Sequence, residues 1–104
     1  MTGDESHLAD VRDPEGRPVA LLARIWNEKI ACDHPELAVH LDDVLLAVQQ
    51  PDHIEPDRRE ARARHYRRAV GPSRWLLVIV SYEQEPARIV TALATRKDPR
   101  RWKQ

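Results

Sequence analysis

Residues 75–82, WLLVIVSY, decide the fold of this 104-residue chain. The run is apolar at both sets of alternating positions, which is the pattern of a strand buried on both faces in the interior of a sheet. Gln84-Glu85-Pro86 then turns the chain, and Arg88 to Thr95 (RIVTALAT) is predicted to return as the hairpin partner. Upstream, Gly71-Pro72-Ser73 marks another turn. The C-terminal part of the chain is therefore predicted to form an antiparallel meander.

Shorter segments before that turn also have the character of strands. Ala63 to Val70 (ARHYRRAV) and His53 to Asp57 (HIEPD) are predicted to extend the meander, the second of them at its edge. Arg17 to Ala23 (RPVALLA) is a candidate first strand, although the start of a helix fits the same length. Residues 1–16 are polar and acidic and end in a D-P-E-G turn, which predicts a disordered arm before a single domain over 17–104.

Two helices are predicted between residues 24 and 50. Arg24 to Cys32 places Trp26 and Ile30 one turn apart, as in a short helix with one buried stripe. The sequence DHPE at 33–36 is typical of a helix start, with an aspartate cap, a proline in the first turn and a glutamate that completes a capping box. A long helix is predicted from there to Gln50, before Pro51. Its apolar stripe comprises Leu37, Leu41, Val44, Leu45 and Val48.

The predicted fold class is α+β, with two N-terminal helices packed on a three- to four-stranded antiparallel β-meander. Composition excludes several other classes. The single Cys32 leaves no disulfide framework and no cysteine zinc site, and it fits a reducing compartment. The longest apolar run is too short for a membrane span, and the acidic N-terminus lacks the features of a signal peptide, so a cytoplasmic protein is expected. The histidine spacings match no metal-binding pattern, so we expect neither a metal nor another cofactor.

A net charge of zero conceals two oppositely charged halves. Residues 1–57 contain 4 basic and 13 acidic side chains, a net charge of −9, whereas residues 58–104 contain 13 basic and 4 acidic, a net charge of +9. This asymmetry indicates either a surface that binds a polyanion or two halves that pair within one domain. Arginine suits phosphate oxygens because its planar guanidinium donates in pairs. Phosphate binding is predicted for the arginines clustered after residue 57: Arg58, Arg59, Arg62, Arg64, Arg68 and Arg74.

Four motifs follow one another along the chain. They are I-x3-H-P-E-L at 30–37, Q-P-D at 50–52, H-Y-R-R-x-V-G-P-S-R-W-L-x-V at 65–78 and I-V-T-A at 89–92. In this order they resemble small bacterial and phage proteins of the barnase, EndoU, colicin and RelE-like nuclease superfamily, over roughly residues 17–102. The resemblance implies two helices followed by a four-stranded antiparallel sheet, and metal-independent RNA cleavage, often as a toxin with an antitoxin or immunity protein as partner. Relatives often carry a second histidine where this chain has Lys29, so a two-histidine mechanism is not implied.

Cleavage of RNA without a metal needs a base for the 2′-hydroxyl, a cation for the charged phosphorane and an acid for the leaving 5′ oxygen. His34 is the candidate base because the positive end of the predicted long helix favours a neutral ring; the alternative is a helix-start residue with local hydrogen bonds. Tyr66 and Arg67 are further candidates, but neighbours in a strand point to opposite faces, so one of them is expected to be structural. Thr91 and Lys29 are candidate phosphate ligands, or an ordinary strand threonine and a lysine lying along apolar surface.

The resemblance, taken with these residues, implies a metal-independent endoribonuclease that binds RNA, in a toxin–antitoxin or phage context. Two alternatives remain open on the same residues. One is a catalytically silent module that binds nucleic acid or protein on the same fold. The other is an interaction protein whose acidic half covers a basic partner.

Overall fold

A six-stranded sheet organises residues 6–68 and 74–99, which are the part of the chain that the computed structural model describes. In chain order the strands are β1 (His7–Arg12), β2 (Pro18–Leu22), β3 (His53–Pro56), β4 (Arg62–Arg68), β5 (Trp75–Ser81) and β6 (Ala87–Thr95). Across the sheet they lie in the order β1-β2-β6-β5-β4-β3. The predicted turn Gly71-Pro72-Ser73 and the C-terminal residues 100–104 lie outside the described residues.

Strand β5 lies in the interior of the sheet, as its sequence predicts. Leu76, Val78 and Val80 join the main hydrophobic core on one face. Trp75 and Leu77 are also buried, in a second cluster on the other face. Because side chains cover both faces, the strand is apolar at both sets of alternating positions.

The meander is confirmed, but it is only part of the sheet. Strands β3 to β6 pair as consecutive antiparallel neighbours. Strand β2 continues the sheet beyond β6 in a parallel pairing, with Val19 opposite Ala87 and Ala20 opposite Arg88. Strand β1 then pairs antiparallel with β2 at the far edge. The α+β class is therefore confirmed, whereas the expected three- to four-stranded antiparallel sheet is corrected to a mixed sheet of six strands.

The prediction of a disordered arm over residues 1–16 is wrong for His7–Arg12, which form β1. The D-P-E-G turn joins two strands rather than ending an arm. The Asp13 carboxylate accepts hydrogen bonds from the backbone N–H groups of Glu15 and Arg17, both at 2.9 Å, and this fixes the turn. The strand is at an edge and mostly exposed, so it lacks the apolar alternation that predicts strands from sequence. The fold starts before Arg17, and residues 1–5 lie outside the described part of the chain.

The first helix, α1, runs without a break through Ala23–Ile25, a π-helical segment Trp26–Ile30 and a final turn Ala31–Asp33. The π turn is visible in the hydrogen bond from the N–H of Ala31 to the carbonyl of Trp26, five residues earlier. Trp26 and Ile30 are both buried, as the predicted stripe requires.

The second helix begins later than predicted. The DHPE sequence does not start it: α1 ends at Asp33, Pro35–Leu37 form a 3₁₀ turn, and helix α2 covers Leu41–Gln49. The residue before a proline is disfavoured in the helical region, and His34 accordingly has φ −132° and ψ 70°. The capping box is therefore corrected to a break between two helices. The predicted end before Pro51 is confirmed, since the last helical residue is Gln49.

Both helices pack on the same face of the sheet. In the predicted stripe Leu37, Val44 and Val48 are fully buried in the main core, while Leu41 and Leu45 are half-buried against it. All buried residues of the two helices belong to this cluster. The opposite face, called the open face below, is therefore left uncovered by the helices of the described chain. None of these helices has the length and hydrophobicity needed to cross a bilayer.

Candidate functional site

The sheet separates the residues that the sequence singled out for catalysis. Tyr66 lies opposite Leu77, which belongs to the open-face cluster, whereas Arg67 lies opposite Leu76 in the core under the helices. The guanidinium of Arg67 donates to the backbone carbonyl of Gln50, just after α2. The prediction that Tyr66 and Arg67 point to opposite faces is confirmed.

The remaining candidates are divided in the same way. Thr91 lies opposite Ile79, which packs on the open-face cluster, so it shares a face with Tyr66. Lys29 is exposed on α1. His34 lies between α1 and the 3₁₀ turn, with its Nδ1 3.7 Å from a carboxylate oxygen of Glu36. His34 is not at the start of α2, so the helix-dipole argument for a neutral ring does not apply. The five predicted residues do not form one site.

A groove on the open face brings together different residues. Its volume is about 330 Å³. Side chains from four strands and from the segment after β6 line it: Glu55, Arg64, Tyr66, Leu77, Leu93, Thr95, Lys97 and Pro99. The floor is apolar and the walls are polar, a combination found in sites that bind and orient a small part of a ligand.

The pairing of β3 with β4 brings the polar side chains of the groove wall together. His53 lies opposite Tyr66 and Glu55 lies opposite Arg64, and the period of two places all four side chains on the open face. His53 Nε2 is 3.0 Å from one carboxylate oxygen of Glu55, and the Tyr66 hydroxyl donates to the other at 3.5 Å. His53 and Glu55 are about one-fifth exposed, at 20% and 18%, so both remain accessible to a ligand.

Aromatic and charged neighbours fix these groups. The Tyr66 ring lies 5.8 Å from the His53 ring and meets Trp75 edge to face at 6.4 Å. Burial raises the pKa of Tyr66, so its hydroxyl keeps its proton at neutral pH and acts as a hydrogen-bond donor. Arg64 donates through Nε to Asp57 at 2.7 Å, and this bond lowers the pKa of Asp57. Hydrogen bonds to Asp57 and Tyr66 raise the pKa of Arg64, which stays charged.

The predicted arginine cluster surrounds this groove only in part. Arg62, Arg64 and Arg68 alternate along β4 and therefore share the open face. Arg58 and Arg59 are exposed in the loop between β3 and β4, and Arg74 is exposed directly before β5. The arrangement can present a row of guanidinium groups beside the groove, with more positive charge at the ends of β4.

Sequence reasoning missed Glu55, and it placed His53 only in a predicted edge strand and among histidines whose spacings match no metal-binding pattern. The available signal was the alternation His53-x-Glu55 in one strand and Arg64-x-Tyr66 in the next, which places each pair on one face. Within the described residues, no three His, Cys, Asp or Glu side chains are grouped closely enough to hold a metal ion.

Comparisons with protein-family models, with curated proteins and with solved structures found no match to this chain.

Proposed function

We propose that the protein binds RNA in the open-face groove and cleaves it without a metal ion. The observation that carries this proposal is the contact of an imidazole and a phenol with one carboxylate, beside a charged arginine. These are His53, Tyr66, Glu55 and Arg64. They supply a base, an acid and a cation. These three groups are required when the 2′-hydroxyl of RNA attacks the adjacent phosphodiester.

Each group has a defined role in this proposal. Glu55 accepts the proton of the 2′-hydroxyl as the 2′ oxygen forms its bond to phosphorus. The bond from phosphorus to the 5′ oxygen breaks, and the His53 imidazole acts as the acid that gives a proton to that oxygen. Arg64 and Lys97 stabilise the negative charge that develops on the phosphoryl oxygens. Tyr66 orients the Glu55 carboxylate through its hydroxyl. The products are a 2′,3′-cyclic phosphate and a free 5′-hydroxyl.

The test compares cleavage of a fluorescent single-stranded RNA by the wild type, Glu55→Gln and His34→Gln, all in excess EDTA. Glu55→Gln should reduce the rate by roughly 10² to 10⁴ because the proton acceptor is lost. His34→Gln is the matched control on the helical side of the sheet, and it should retain the wild-type rate. Thermal unfolding of each variant shows whether a loss of rate reflects loss of fold.

A catalytically silent RNA-binding module is the second candidate. One observation favours it: both oxygens of Glu55 and the Nε of Arg64 are already hydrogen-bonded within the protein. A silent module would bind the RNA with no product formed by the wild type. Loss of cleavage in His34→Gln with full activity in Glu55→Gln would contradict the open-face site itself.

A further inference from the structure

A buried polar cluster lies away from the groove, on the helical side of the sheet. The Tyr82 hydroxyl donates to Asp13 at 2.8 Å and lies 3.3 Å from Nε2 of His65. Asp13 is 5% exposed and His65 is 1% exposed. Asp13 belongs to the turn between β1 and β2, whereas His65 is in the middle of β4. The cluster thus joins the first hairpin to the far half of the sheet.

The protons of this cluster can be assigned from its geometry. The Tyr82 hydroxyl has one proton, and the Asp13 carboxylate can only accept. His65 must therefore donate from Nε2 to the Tyr82 oxygen, which makes it the neutral Nε2–H tautomer. Its Nδ1 is buried and has no hydrogen-bond partner among the described residues. A second proton on this ring would have no acceptor in the closed structure.

The surroundings of His65 also disfavour a second proton. Its neighbours across the two adjacent strands are apolar, Ile54 on β3 and Val78 on β5. Burial lowers the pKa of His65 to about 4; the Asp13 carboxylate acts against this shift and the Arg17 guanidinium adds to it. Arg17 is held by Asp13 at 3.0 Å and stacks 4.1 Å above the Tyr82 ring. Among the described charged and titratable groups, Asp13 and Arg17 act on His65 electrostatically, Tyr82 contacts it, and Arg67 lies two residues along the same face of β4.

At this end the first hairpin is also attached by Val19, which is buried in the main core, and by the stacking of Arg17 on the Tyr82 ring. Strands β2 and β6 pair in register over only two residue pairs, Val19 with Ala87 and Ala20 with Arg88. The Asp13 carboxylate meanwhile binds the backbone of its own turn and the Tyr82 hydroxyl together. Loss of the bond to Tyr82 would remove the hydrogen bond that ties the turn to the residue after β5 and to His65, while the hydrogen bonds within the turn remain.

We propose that Asp13, Tyr82 and His65 form a pH-sensitive latch that holds the turn between β1 and β2 against the sheet and opens in mild acid. Opening admits water to His65, so that Nδ1 can bind a proton and donate it to solvent. The open form takes up this proton near the ordinary histidine value of about 6.5, whereas the closed form does so only near pH 4. Between these values the open form binds more protons, so a falling pH favours opening, and closure is restored as the pH rises.

Hydrogen exchange of the turn residues 13–17 tests the latch in the full chain. After correction for the intrinsic pH dependence of exchange, the opening constant should rise by up to tenfold per pH unit from about 6.5 towards 4. Tyr82→Phe removes the bridging hydroxyl and should open the turn at every pH. His65→Gln removes the titrating ring, so its opening should not change across this window. Equal wild-type opening at pH 7.5 and pH 5 would overturn the proposal.

A second measurement does not depend on the folding of any variant. Nitrogen and carbon chemical shifts of the His65 ring in the wild type report its tautomer and its titration. The latch requires the Nε2–H tautomer and a neutral ring down to about pH 5. An Nδ1–H tautomer, or titration of the ring in the folded protein near 6.5, would contradict it.

Discussion

Ala61 has φ 63°, a left-handed conformation that costs a residue with a Cβ about 1–2 kcal/mol. It is the last residue of the β3–β4 loop, and its carbonyl accepts a hydrogen bond from the N–H of Tyr82 at 2.7 Å, so the backbone is held there. Glycine adopts this conformation freely but loses more entropy on folding. Ala61→Gly should therefore raise the free energy of unfolding by about 0.5–1 kcal/mol.

Urea unfolding measures this difference, and a matched control is available two residues away. Ala63 is in strand β4, where glycine brings only its entropic cost, so Ala63→Gly should lower the free energy of unfolding by about 0.5–1 kcal/mol. Equal destabilisation by both substitutions would show that Ala61 is not strained.

For single residues, the sequence predicts the face of the sheet on which a side chain lies better than it predicts which other side chains it contacts. The separation of Tyr66 from Arg67 follows from the period of a strand and is confirmed. The partnership of His53 with Glu55 and Tyr66 depends on the register between two strands, which is set by the length of their loop and its hydrogen bonds. No single-strand pattern contains that information, so these partners were missed.

The secondary-structure elements differ in how well they could be predicted, for a physical reason. Strands β5 and β6 have strong apolar patterns because they are buried in the interior of the sheet. Strand β1 is exposed at an edge, and its pairing comes from backbone hydrogen bonds that any sequence can form. The start of α2 was misplaced because Pro35 fits both the first turn of a helix and the end of the preceding one.

The 3₁₀ turn between the helices contributes more to the core than its length suggests. Leu37 is fully buried there, whereas Leu45 in α2 is only half-buried. Leu37→Ala should lower the free energy of unfolding by about 2–5 kcal/mol, the range for a fully buried leucine. Leu45→Ala should cost clearly less, and denaturant unfolding of both variants gives the comparison. A larger decrease in the free energy of unfolding for Leu45→Ala than for Leu37→Ala would contradict this structure and favour the continuous long helix that the sequence predicts.

At the scale of the whole molecule, the two oppositely charged halves of the sequence build different parts of the structure. The acidic half forms the first hairpin, both helices and the edge strand β3, and the basic half forms β4, β5 and β6. The pair of Asp57 and Arg64 joins the two halves within the domain. Arg62 and Arg68 lie on the open face on either side of Arg64, where a polyanion would meet them.

RNA affinity should therefore fall as the salt concentration rises, and the arginines of the open face should cause part of this dependence. A single-stranded ligand contributes a slope of about −0.7 in log–log form for each phosphate neutralised. Replacing Arg62 and Arg68 together by serine should reduce the magnitude of the slope by about 1.4 if each binds one phosphate. Lys29→Ser, an exposed cation on α1, should leave it unchanged. An equal change of slope in the double arginine variant and in Lys29→Ser would mean that RNA responds to the overall charge of the protein and not to the open face.

Amide chemical shifts show where on the protein RNA binds, and so test the proposed binding on the open face of the sheet. The protein is titrated with a single-stranded RNA whose 2′-hydroxyls are methylated, so that it cannot be cleaved. We expect the largest shifts in Glu55, Arg64, Tyr66 and Thr95, around the groove, with small shifts in α1 and α2. Shifts concentrated at His34 and Lys29, on the helical side, would contradict it.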